Sequence, residues 1–283
     1  MAPFVWIGVA MLLVLAGGGA YVVAGKAAGD ADRQGAELVV QQARQDNGLI
    51  YGLMRTVPSP PRSINGAQDL PHAKGAVDQV AAALRHAHAV VNSDLPRLRR
   101  AGATVRAQAG GILVLSQRGP LDQERGRLDS VVTGFSVAGE YLRVAENQMR
   151  FTSSMLDAEI ALVGVIALVQ QQNMAGALEL YPQVDGKVQA AIALSGGTYI
   201  PPQMLTPVNT LATLAADFKQ VIQAAQGRDL RTIQALQPQI AAEASALGQF
   251  DQQGLDSYEA SLFKPYQERY RRALRQAGFT LAG

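Results

Sequence analysis

Counting in sevens from Leu128 gives Leu128, Phe135, Leu142, Met149, Leu156 and Val163, and three residues after each come Val131, Ala138, Ala145, Thr152, Glu159 and Ile166. Nearly all of these positions are apolar or small. A 3.5-residue repeat held for about six heptads demands one long helix whose stripe packs on neighbouring helices with a slight left-handed twist. The expected helix runs from Pro120 to about Gln172. Pro120 follows Gly119 and suits a first helical position, while Asp122 and Glu124 place negative charge at the positive end of the helix dipole. At 1.5 Å per residue, roughly 50 residues extend about 75 Å, so the reading is a rod-like bundle.

Composition decides what surrounds that helix. Aromatic residues make up only 6% of the chain, and hydrophobic residues 48%, enough apolar side chain for a folded core. Alanine and glutamine are abundant and β-branched runs flanked by turn signals are scarce, so helices carry the core and the fold class is all-α. The balance of 25 basic against 23 acidic residues is too even for a nucleic-acid-binding surface. The local run Arg97, Arg99, Arg100 and Arg106 reads as a solvated helix face, and no aromatic residues interleave with it for base stacking. With no cysteine, disulfides, thiol catalysis and thiolate metal sites are excluded together.

From Ala2 to Gly25 no side chain is charged, and the run is long enough to cross a hydrocarbon layer of roughly 30 Å. Trp6 and Tyr21 fit the interfacial aromatic preference. The rival is a cleaved signal peptide, since Val22-Val23-Ala24 resembles a cleavage site; the run exceeds the usual apolar segment of such peptides and lacks a basic start. Residues 1–28 are therefore expected to be a single-pass transmembrane anchor. Lys26 and Arg33 after the span would hold the following chain in the cytoplasm. A low charge content of 17%, where cytoplasmic coiled rods are rich in Glu and Lys, favours an extracytoplasmic domain instead.

Residues 29–55 read as a stalk helix with Ala36, Val39, Ala43, Ile50, Leu53 and Val57 in heptad register and Asp46 breaking it. Residues 56–71, with Pro58-Ser59-Pro60-Pro61 and Asn65-Gly66, read as an exposed loop. Residues 72–172 form the long-helix bundle. Within it Asn92-Ser93-Asp94-Leu95-Pro96 predicts a kink or break with a new helix cap, and Gly110-Gly111 predicts a close approach to the long helix. Residues 173–283 complete the bundle with helical hairpins. There Leu180-Tyr181-Pro182-Gln183-Val184 is echoed by Leu236-Gln237-Pro238-Gln239-Ile240, Gln172-Asn173-Met174 by Arg228-Asp229-Leu230, and Val165-Ile166 by Val221-Ile222, which predicts two related hairpins. Between them Ser195-Gly196-Gly197 ends one helix and Thr206-Pro207 opens the next. The last helix starts at Asp256 with Glu259 as its capping-box partner and ends at Gly278. Phe263, Tyr266 and Tyr270 recur along it as core contacts with hydroxyls at the surface.

Little in the chain carries chemistry. His86 and His88, two residues apart, point in different directions on a helix, and His72 is distant in sequence, so they hold no metal. Glu159 falls on the stripe beside the run Ile160 to Val169 with Asp157 nearby. A buried carboxylate there would bind a proton or cation; the simpler reading is a solvated or paired boundary acid. The apolar run itself is expected to be fully buried. No phosphate loop, dinucleotide fingerprint, nucleophile elbow, zinc motif or calcium loop occurs, so no catalytic, cofactor-binding or metal residue is assigned and no enzyme is expected.

Anchor, long heptad helix and hairpins together resemble, in layout alone, the extracytoplasmic helical sensor modules of bacterial chemoreceptors and histidine kinases. The resemblance implies ligand sensing, but no transmission or kinase part accompanies the layout. The expected function is a membrane-anchored helical-bundle interaction protein that contacts the bilayer through its N-terminal helix and binds a protein partner or itself. The alternative is a ligand-binding sensory bundle that signals to a partner membrane protein.

Overall fold

The computed structural model describes residues 3–56, 67–110, 118–197, 199–248 and 251–280; the side chains of residues 3–25, 248 and 252 are not among those described. It is all-helical, with seven α-helices and no strand among the described residues. They are α1 (Pro3–Thr56), α2 (Leu70–Ala109), α3 (Arg118–Gln170), α4 (Met174–Ser195), α5 (Leu205–Gly227), α6 (Leu230–Gly248) and α7 (Gln252–Gln276), with 3-10 turns at Ala67–Asp69 and Pro202–Met204. Contacts divide the chain into two compact units: Met1–Arg55, Ala87–Glu140 and Tyr266–Gly283 in the first, and Thr56–His86 and Tyr141–Pro265 in the second.

The heptad helix is one uninterrupted element, α3, and its stripe is buried at Leu128, Val131, Phe135, Ala138, Leu142, Ala145, Met149 and Leu156. Beyond Leu156 the stripe does not hold: Val163 and Ile166, like Thr152 and Glu159, are half-buried. The buried set moves to Phe151, Met155, Ala158, Leu162 and Val165, which join a core with α4 and α5. A straight helix of 3.6 residues per turn drifts against a 3.5 repeat, so a different face serves each neighbour. The run Ile160 to Val169 is accordingly not fully buried as expected; of its residues only Leu162 and Val165 are.

In the first unit, α1 buries Ala36, Val40, Ala43, Asn47, Ile50 and Met54. The register thus differs from the expected one: Val39 and Leu53 are half-buried, Val57 lies outside the described residues, and the polar member of the stripe is Asn47 rather than Asp46. Arg127 ties three segments, donating to Glu37 and Glu124 and to the Ala277 carbonyl. Gly134 lets α7 come close, since a Cβ there would stand 2.9 Å from Leu274 Cδ2.

Of the kink or break expected at residues 92–96, the break is absent. Helix α2 carries Pro96 in its interior, with the fully buried Val91 and Leu98 on either side gaining more from packing than the lost hydrogen bond costs. The loop is shorter at its end than expected, because Ala67–Asp69 already turns and Leu70 is helical; residues 57–66 are outside the described set. Gly110 stands just past the end of α2 and meets only its own helix's carbonyls, so it marks no approach to α3; Gly111 is not described.

In the second unit the duplicated sequence becomes duplicated geometry. Gln172 and Arg228, 56 residues apart, are the non-glycine residues with positive φ among the described residues, 60° and 58°. Asn173 N donates to Leu168 O and Asp229 N to Ala224 O, again 56 apart. Asn173 then caps α4 by accepting from Gly176 N at 3.0 Å, and Asp229 caps α6 by accepting from Thr232 N at 3.2 Å. Each turn ends one helix in the left-handed region and starts the next with a side-chain acceptor. Two starts differ from expectation. Helix α5 opens at Leu205 with no side-chain cap, and α7 opens with Asp251 accepting from Gly254 N at 2.8 Å, ahead of Asp256. The last helix ends as expected, with Gly278 at φ +75° and Phe279 N donating to Leu274 O.

Helix α3 is, by length and composition, long and apolar enough to cross a membrane; its most apolar 18-residue window has a mean hydropathy of 1.7. It is the helix with that property among the described residues. The expected anchor at residues 1–28 falls almost wholly on side chains outside the described set, although the backbone from Pro3 belongs to α1.

Candidate functional site

Glu159 and its surroundings come first, as the sequence singled them out. The carboxyl is half-buried in α3, and burial alone pushes its pKa up to about 7, because removing water disfavours the charged form. No hydrogen bond or ion pair engages it among the described residues. Asp157, two residues earlier, is instead held by Lys74 at 3.7 Å and Lys187 at 3.4 Å. A lone carboxyl of this kind holds or releases one proton near neutrality, but it lacks the second titratable group of an acid–base pair.

A small cleft of the same unit lies between α3, the 196–204 connection and α7. Gln148, Met149, Phe151, Thr152, Pro201, Met204, Leu255 and Glu259 line it, and it holds about 10 Å³, room for roughly one water. Gln148 is buried; its amide donates to Tyr199 O at 2.9 Å, while its Oε1 is buried without a hydrogen-bond partner. Arg143 secures the same connection, donating to the Tyr199 hydroxyl at 3.1 Å and lying 5.3 Å from its ring centre. Nothing larger than water fits that cleft without opening it.

The first unit holds a polar pair the sequence did not reveal. Asp94 is only 5% exposed and its Oδ2 has no hydrogen-bond partner. Its pKa is pushed up to about 6, first by burial and then by Asp46, with Arg97 opposing weakly. Asp46 in turn accepts from Gln42 Nε2 at 2.9 Å. A second carboxylate within hydrogen-bond reach favours the protonated form of Asp94. One residue along α1, Asn47 Oδ1 accepts from the Tyr270 hydroxyl at 2.6 Å. That hydroxyl is therefore an inward anchor and not the surface group expected.

The remaining candidates are placed as follows. His72 and His86 are exposed and His88 is half-buried; no group of three or more His, Asp or Glu is placed to hold a metal among the described residues. Arg97, Arg99, Arg100 and Arg106 are exposed on α2, and Arg106 pairs with Asp129 at 3.5 Å. Phe263 is buried against Tyr141, ring centres 4.8 Å apart, while Tyr266 is half-buried. Asp94 had a legible signal: it stands three residues after Val91 and four before Leu98, in register with the buried stripe, but its place between Asn92 and Pro96 also reads as a cap.

No protein-family model, curated protein or solved structure matches this chain.

Proposed function

We propose that this chain is a membrane-anchored helical-bundle interaction protein, tethered by residues 1–28 as a single-pass anchor, with the following domain on the extracytoplasmic side and without enzymatic activity. The observation that carries the reading is where apolar side chain goes. The described cleft is filled to the size of a water, whereas Leu38, Leu49, Leu205 and Leu230 stand exposed on helix surfaces, two of them more than 60% exposed. A ligand sensor needs a concave pocket of roughly 300 Å³ or more for a small molecule, which weighs against the sensory alternative at that cleft. Exposed apolar groups on otherwise polar helices suit contact with other chains.

The test is alkaline extraction of membranes carrying the full chain with a C-terminal tag, beside a chain beginning at Gly29, followed by external protease on intact cells. The expected result is retention of the full chain in the membrane pellet, release of the shortened one, and digestion of the tag. Full release of the intact chain would overturn the anchor, and a protected tag would overturn the extracytoplasmic side.

A further inference from the structure

Several cations of this chain bridge helices onto an acid: Arg106 meets Asp129, Lys187 meets Asp157, and Lys219 meets Asp185. Between α1 and α7 of the first unit the guanidiniums are held differently. Arg44 lies over the Phe279 ring at 5.1 Å, and Arg55 and Arg271 lie over the Tyr51 ring at 5.9 Å and 5.7 Å. Tyr51 in turn stacks on Tyr270, ring centres 6.5 Å apart. Arg271 is half-buried, and its Nε is enclosed without a hydrogen-bond partner. Arg275 follows Arg271 one turn along α7, and Phe279, which carries Arg44, is four residues further on. The arginines therefore line one groove. Arg272 and Arg275 are exposed beside it. From Tyr266 onward the chain has four arginines against one acid, Glu268, and among the described residues no ion pair engages Arg44, Arg271, Arg272 or Arg275.

We propose that this α1–α7 face docks an acidic segment of a partner protein, which deepens the interaction reading above and rests on it. Unmatched positive charge selects an anion, and the guanidinium fork selects a carboxylate, whose two oxygens it takes at once. A ring beneath the fork fixes its plane and leaves its N–H edges for that contact. Distance removes the membrane as the anion. Arg44 stands 16 residues past the anchor expected at residues 1–28, on the same continuous helix, which is about 24 Å. The field of charged headgroups falls off over about 10 Å. Nucleic acid needs a wider basic surface and open rings for stacking, whereas the chain balances 25 basic against 23 acidic residues and Tyr51 is covered by Tyr270 and two guanidiniums. The dipole of α7 accounts for basic charge in its last turn, but not for Arg44 in the interior of α1.

The test places the full chain in phosphatidylcholine nanodiscs and follows binding of a short fluorescein-labelled oligoglutamate peptide by anisotropy. The expected result is saturable binding that weakens about tenfold or more in Arg272→Glu with Arg275→Glu. It should be unchanged in Arg99→Glu with Arg100→Glu on exposed α2, and unchanged when the discs carry phosphatidylserine. If circular dichroism shows the reversed pair unfolded, Arg272→Gln with Arg275→Gln takes its place and must weaken binding in the same direction. Absence of saturable binding, equal loss in the α2 pair, suppression by phosphatidylserine, or tighter binding of a single-stranded oligonucleotide than of the peptide overturns the proposal. A chain that does not enter the discs overturns the anchor instead; peptide binding by that chain, lost with Arg272 and Arg275, upholds the docking surface.

Discussion

Asp94 puts a titratable charge into the middle of an apolar stripe, and the sign of its effect on stability follows from its displaced pKa. In the folded chain the carboxyl titrates near 6 instead of 3.8, so between those values the folded state keeps a proton that the unfolded state has released. The stabilisation is fully present below about pH 4 and is lost as pH rises through 6. That displacement corresponds to roughly 3 kcal/mol as an upper limit. Asp94→Asn, which keeps the shape and removes the charge, is expected to unfold at higher denaturant than the parent above pH 6 and to lose this advantage towards pH 4. Denaturant midpoints across that range check it; parallel curves for parent and variant would show that Asp94 does not titrate there. The buried Asn47–Tyr270 hydrogen bond lies beside this pair, so α1 meets its neighbours through two polar contacts within one turn. Sequence alone does not separate such inward polar residues from surface ones, because Asp94 and Asn47 sit among residues with equally good claims to caps and solvent.

At the scale of elements, the legible features were those written in local chemistry. The 56-residue offset between Gln172-Asn173 and Arg228-Asp229 specifies two turns with matching φ, matching hydrogen bonds and matching caps. Removing the cap acceptor with Asn173→Ala should cost about 1 kcal/mol, and Asp229→Ala should destabilise the second hairpin in the same direction; urea unfolding monitored by circular dichroism measures both. The double variant is expected to lose more stability than either single variant, and the same urea curves measure whether the two losses add. The expected features that did not hold were decided by packing. Pro96 sits inside α2 because the residues around it are buried on one continuous stripe, and the core of α3 changes face after Leu156 because its neighbours change. A heptad count reports that a helix buries one side; it does not report which helix covers that side or where a second face takes over.

For the whole molecule, the all-helical class and the long uninterrupted α3 were readable from periodicity and composition. The division into two units was not. One boundary, between Arg55 and Thr56, coincides with the end of α1; the other three fall inside continuous helices, near Ala87 in α2, Glu140 in α3 and Tyr266 in α7, where a lone Gly139 or Pro265 does not end the helix, so only the pattern of contacts reveals them. The functional reading at this scale depends on surfaces: water-sized space beside Gln148, and leucines exposed on α1, α5 and α6. Fluorescence imaging of the tagged full chain beside a chain beginning at Gly29 tests that account most directly. It predicts signal confined to the membrane for the full chain and spread through the soluble compartment for the shortened one; soluble signal for the full chain would contradict it.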